Sequence, residues 1–138
     1  MPSKTPLVLR VILAIAGAAI VFLGLNVGLG GIQTLGWQGG QVDFLTVTDP
    51  VVFGVRDSHV RFIGGVWLGV GLFFFAGAFA FERLRSVLVA LTAIIFIGGL
   101  ARVSAADPGI LLSAAIAPSL TLELVLFPLL GLWVAKAA

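Results

Sequence analysis

The chain has 138 residues, of which 60% are hydrophobic and only 10% charged, where a soluble domain carries about a quarter charged residues. With a mean hydropathy of +1.21, this describes a membrane protein with no room for a large catalytic domain beside its spans. Cysteine is absent and histidine occurs once, which excludes disulfides, cysteine catalysis and a multi-histidine metal centre; the net charge of +2 is scattered and forms no basic stripe for nucleic acid.

A hydrocarbon core of roughly 30 Å needs about 20 apolar residues per helix. The first such stretch is residues 11–32, broken only by Asn26. A cleaved signal peptide would also follow Lys4 and Arg10, but this apolar run is longer than a usual h-region and no A-x-A site follows it. A long connection, residues 33–58, comes next. It mixes Gly36, Gly39, Gly40 and Asp49-Pro50 with Trp37, Phe44 and Phe53, a composition that suits a loop on the headgroup layer. It reads as a connector or as a lid over an outward-facing cavity.

The second helix is expected over residues 62–81, bounded by Arg61 and Glu82. Glu82-Arg83-Leu84-Arg85 is then a short connector that forces an antiparallel hairpin. The third helix is expected over residues 86–106, followed by the turn signal Asp107-Pro108-Gly109 and a stretch, residues 110–117, lying along the interface. The fourth spans residues 118–135, with Trp133 as an interface anchor beside Lys136. The expected architecture is all-α: one transmembrane domain over residues 1–138, folded as a four-helix bundle.

Loop charges orient it. The side with both termini carries Lys4, Arg10, Arg83, Arg85 and Lys136, whereas the other carries Arg56, with Arg61 and Arg102 at the boundary. The positive-inside rule therefore predicts cytoplasmic N- and C-termini in an inner (plasma) membrane.

Glycine occurs 18 times. Because lipid gives apolar helices no hydrophobic reason to associate, close approach at small residues carries their packing. Gly24-x-x-x-Gly28 on the first helix, Gly64, Gly65 and Gly69 on the second, and Gly98-Gly99 on the third are the expected contact points. Packing within one bundle is the simpler reading, and homodimerisation through one of these faces is the other.

Ionisable groups inside spans are expensive and mark sites. At 1.5 Å per residue, Asn26 stands about 24 Å above Arg10. Arg102 stands about 25 Å above Arg85, Glu123 about 20 Å above Lys136 and Arg61 about 31 Å above Glu82. One polar group per helix thus converges in the outer half of the membrane, with Asp57 and His59 nearby. Arg61 is expected to share a face with Gly65 and Gly69, and Arg102 with Gly98 and Gly99. Two arginines and one glutamate leave a surplus positive charge. This constellation reads as a clamp fixing helix order, as a site receiving an anionic group, or as a proton relay through Glu123 and His59. Ser58 and Ser104 form no triad pattern, since Asp57-Ser58-His59 is contiguous and splays apart on a helix.

Arg61-Phe62-Ile63-Gly64-Gly65, Gly98-Gly99-Leu100-Ala101-Arg102, and Leu122-Glu123-Leu124 ahead of Pro128 resemble the pattern of domain-of-unknown-function family 4345. The resemblance covers nearly the whole chain and implies a short, bacterial, four-helix membrane protein. It associates Arg61, Arg102 and Glu123 with the family pattern but supplies no activity, cofactor or catalytic residue. The expectation is a non-enzymatic accessory, scaffold or lipid-binding protein without cofactor or metal. Its partners would be membrane lipid, a membrane-protein partner or further copies of itself. The alternative is a small-molecule or proton transporter, which with so few helices would act as an oligomer.

Overall fold

The computed structural model describes residues 5–34, 46–104 and 107–137. Its regular elements are helical, with no strand among the described residues. Helix α1 is Leu7–Gly30, followed by a 3₁₀ turn, Gly31–Thr34. Helix α2 is Pro50–Gly77, α3 is Phe81–Val103 and α4 is the single turn Pro108–Leu111. The last span is composite: α5, Ala117–Thr121, runs through a π-helical turn, Leu122–Leu126, into α6, Phe127–Lys136. Four helices, Leu7–Thr34, Pro50–Gly77, Phe81–Val103 and Ala117–Lys136, are long and apolar enough to cross a membrane.

Helix α2 begins well before the sequence expectation, at Pro50 rather than near residue 62. Asp49 caps it, its carboxylate accepting from the N–H groups of Val51 (2.9 Å) and Val52 (3.1 Å). Pro50 fits the first helical position, where a missing N–H costs nothing. The connection after α1 is correspondingly shorter than residues 33–58, and its Gly36, Trp37, Gly39, Gly40 and Phe44 lie outside the described residues.

The turn between α2 and α3 also departs from expectation. Glu82-Arg83-Leu84-Arg85 is not the connector; it forms the opening of α3. The chain reverses over Ala78–Ala80 instead, where Arg10 donates to the carbonyls of Ala78 (2.7 Å) and Phe79 (3.1 Å). Glu82 then lies in the first turn of α3, where the helix dipole favours a negative charge. Arg85 similarly donates to the Ala135 carbonyl at the end of α6. Basic side chains from neighbouring helices thus cover carbonyls that a helix end leaves unpaired. Helix α3 ends at Val103, and residue 106, the expected end, lies outside the described residues.

Helices α1 and α2 pack antiparallel along their length at glycines. A side chain added at Gly17 would strike Phe75, at Gly71 Val21, at Gly24 Leu68, and at Gly64 the backbone of Gly28. These pairs step by three and four residues up one helix and down the other, so a single stripe on each helix forms the contact. Gly65, Gly69 and Gly98, expected on packing faces, have open space beside them. Gly64 and Gly65 differ by about 100° around the helix, and Gly64 is the one that meets α1. On α3, Gly99 faces Glu123 and Leu124.

Leu9, Leu13, Phe74, Leu88 and Val134 are fully buried and form the core at the end that carries both termini. Phe127 packs edge-on against Phe74, ring centres 5.6 Å apart. This knot holds the α1–α2 pair to the α3–α6 pair at one end and leaves the far end of the molecule to the polar groups.

Candidate functional site

The polar residues form two separate ion pairs and not one constellation with a spare charge. Arg61 Nε lies 2.6 Å from Asp57 Oδ2, one turn away on α2. Its Nη1 donates to the carbonyls of Leu29 and Gly28, the latter at 3.4 Å. Asp57 Oδ1 accepts from the Ile32 N–H at 2.8 Å. Gly31 between them has φ 72°, a left-handed conformation open to glycine at little cost. Asn26 belongs to this same closure: its Nδ2 donates to the Thr34 carbonyl (3.1 Å) and its own carbonyl accepts from Thr34 Oγ1 (2.9 Å). Arg61, Asp57, Asn26 and Thr34 together tie off the C-terminal end of α1 and dock it on α2. His59 is exposed on α2 and joins neither pair among the described residues.

The second pair joins α3 to the last span. Arg102 Nε sits between the two carboxylate oxygens of Glu123, 3.0 Å from Oε1 and 2.8 Å from Oε2. Glu123 is 5% exposed, whereas the Arg102 side chain is 42% exposed. Gly99, one turn below Arg102, lets Glu123 approach α3 closely.

Glu123 stands on the π-helical turn. Pro128 explains why that turn is wide. It lacks the N–H that would bond the Leu124 carbonyl, and its ring crowds that carbonyl. The helix responds with a bond from the Phe127 N–H to the Leu122 carbonyl, five residues back. Single π turns within α-helices occur often at functional sites.

Arg102 and Glu123 mark one end of a cavity of about 450 Å³ between α1, α2, α3 and the last span. Its walls are otherwise almost wholly apolar, with Ile12, Ala16, Ala19 and Leu23 on α1, Trp67 on α2 and Phe127 on α6. Ile15 and Ile63, which line it, are 65% and 49% exposed, so the cavity opens at the apolar outer surface of the helices. A mostly apolar concavity with a few converging polar groups is the usual form of a small-molecule site. Sequence reasoning found its polar end but not its walls. The small residues Ala16 and Ala19 and the mid-span Trp67 were available signals, yet their meaning depends on how the helices are arranged. No cluster of three metal-ligating side chains occurs among the described residues.

The family model described as domain of unknown function (DUF4345) matches residues 8–134, and the chain belongs to that family. No curated protein and no solved structure matches it significantly.

Proposed function

We propose that this family member is a multi-pass inner-membrane protein that holds one membrane lipid at the level of the outer leaflet, in a non-enzymatic accessory role. The observation that carries the reading is the cavity, apolar along α1 and ending at the Arg102–Glu123 pair. A bilayer-facing cavity of this composition excludes water and accepts hydrocarbon, and its single polar end matches an amphiphile. Separation of the two ion pairs supports the choice of site. Arg61 and Asp57 are engaged with the backbone at the end of α1, so the Arg102–Glu123 pair is the one that meets the ligand. Both termini lie in the cytoplasm on this reading, supported by the basic residues Arg10, Arg83, Arg85 and Lys136 near the terminal end and the positive-inside rule.

Trp67 reports directly on occupancy because it lines the cavity. In a Trp37→Phe/Trp133→Phe background, phosphatidylcholine with brominated acyl chains, added to the protein in maltoside detergent, should quench Trp67 saturably at about one lipid per chain. Ala19→Phe, which fills the cavity beside α1, should abolish the saturable component. Quenching that rises only in proportion to lipid, alike in both proteins, refutes the reading.

A further inference from the structure

The polar end of the cavity is asymmetric. An arginine carries five N–H donors, and Arg102 uses the one on Nε to bridge both oxygens of Glu123. Among the described residues nothing bonds its two η nitrogens. Arg10, Arg61 and Arg85 differ in this respect, since each directs an η nitrogen at helix-end carbonyls. Arg102, a lining residue of the cavity, is therefore held at its elbow by a buried carboxylate while its η nitrogens carry no bond among the described residues. Unpaired N–H groups are costly at membrane depth, and this fork matches the bidentate geometry of a phosphate or carboxylate. Depth narrows the choice. Arg102 lies about 25 Å along α3 from Arg85, near the outer limit of a hydrocarbon core of about 30 Å. Its long side chain can extend further toward the headgroups, which is the level of lipid phosphates. The apolar wall from Val27 down to Ile12 on α1 runs on from there for about 22 Å toward the other leaflet.

We propose that the ligand is a glycerophospholipid of the surrounding bilayer. One acyl chain lies along α1, and the phosphodiester is received by the free η edge of Arg102. Glu123 is the positioning residue that fixes the guanidinium through Nε. Because Glu123 already balances the charge of Arg102, the site reads the phosphodiester itself and not the net charge of the headgroup. This rests on the lipid-holding reading above and adds to it the chemistry of the headgroup.

The test uses Trp67 quenching by brominated lipids with identical chains: phosphatidylglycerol, phosphatidylcholine, diacylglycerol and free fatty acid. The full-length protein in maltoside detergent carries Trp37→Phe/Trp133→Phe so that Trp67 alone reports, and counts as wild type at the site. It is compared with Arg102→Gln/Glu123→Gln in the same background, which keeps a hydrogen-bonding pair and leaves no buried charge. For the wild type, both phospholipids should half-quench at concentrations at least about tenfold below diacylglycerol, the ratio expected for one charge-assisted pair. In the double variant that ratio should fall to about one, with diacylglycerol quenching unchanged as proof that the cavity is intact. Arg102→Lys, which keeps the charge but loses the fork, should retain only part of the preference. Equal quenching by diacylglycerol and phospholipids in the wild type overturns the headgroup assignment while leaving the cavity reading in place. So does a preference for fatty acid, or one that separates phosphatidylglycerol from phosphatidylcholine. Absence of saturable quenching by every lipid removes the cavity reading itself.

Discussion

Truncating the two partners of the Arg102–Glu123 pair should have unequal effects, because the partners are unequally buried. Arg102→Ala leaves a carboxylate that is 5% exposed without the only donor it has among the described residues. Breaking a buried pair costs about 3–5 kcal/mol in soluble proteins, while measured couplings inside membrane proteins average about 0.6 and reach about 1.7 kcal/mol. Glu123→Ala leaves a guanidinium whose side chain is 42% exposed and can turn toward headgroups or water. We expect a loss of about 2–3 kcal/mol for Arg102→Ala and about 1 kcal/mol for Glu123→Ala, between those limits. The double variant should lose about 1–2 kcal/mol less than the sum of the singles. Reversible unfolding in mixed dodecyl maltoside and dodecyl sulfate, followed by circular dichroism, measures all four corners of the cycle. Additivity within about 0.5 kcal/mol, or a greater loss for Glu123→Ala than for Arg102→Ala, refutes the reasoning.

Adjacent glycines on α2 should behave oppositely in the same unfolding assay. Gly64→Leu drives a side chain into the α1 backbone and should cost at least the 1–3 kcal/mol or so of core overpacking, whereas Gly65→Leu has open space and should change stability little. Gly31→Ala places a side chain at φ 72°, ψ −155° and should cost about 1–3 kcal/mol for that backbone conformation alone, and a stabilised variant would contradict the described closure of α1. For orientation, a cysteine at Ser3 or Ala138 should react with an impermeant maleimide only after the inner membrane is opened. Thr46→Cys should label in intact spheroplasts; labelling at the termini from outside reverses the topology.

What the sequence made legible follows from which physical signals are local. Runs of span length with at most one charge located α1, most of α3 and the last helix, because the cost of a charge in hydrocarbon acts residue by residue. The same rule failed at both ends of α2. Arg56 and Asp57 look like loop residues, but Asp57 pairs with Arg61 one turn away and α2 continues past the end of α1. The Asp49-Pro50 cap was readable as a helix start. At the other end, Glu82 to Arg85 looked like a connector because it is charged, while the reversal needs only Ala78–Ala80 and the donors of Arg10. Glycine spacing showed that close packing occurs but not the phase, since Gly64 and Gly65 can be told apart only by the position of α1. Depth arithmetic brought Glu123 and Arg102 to similar levels. It also grouped Arg61 and Asn26 with them, because depth carries no information about position around the bundle. The cavity is a property of four helices together, and no short window of sequence encodes it.

The central claim is that one lipid occupies the cavity along α1, and native mass spectrometry of the protein extracted from its own membrane weighs that lipid directly. The wild type should retain one phospholipid mass per chain after detergent is stripped at moderate activation, and Ala19→Phe, equally folded by circular dichroism, should retain none. Bare chain in both proteins, or the same lipid adduct on Ala19→Phe as on the wild type, contradicts the account.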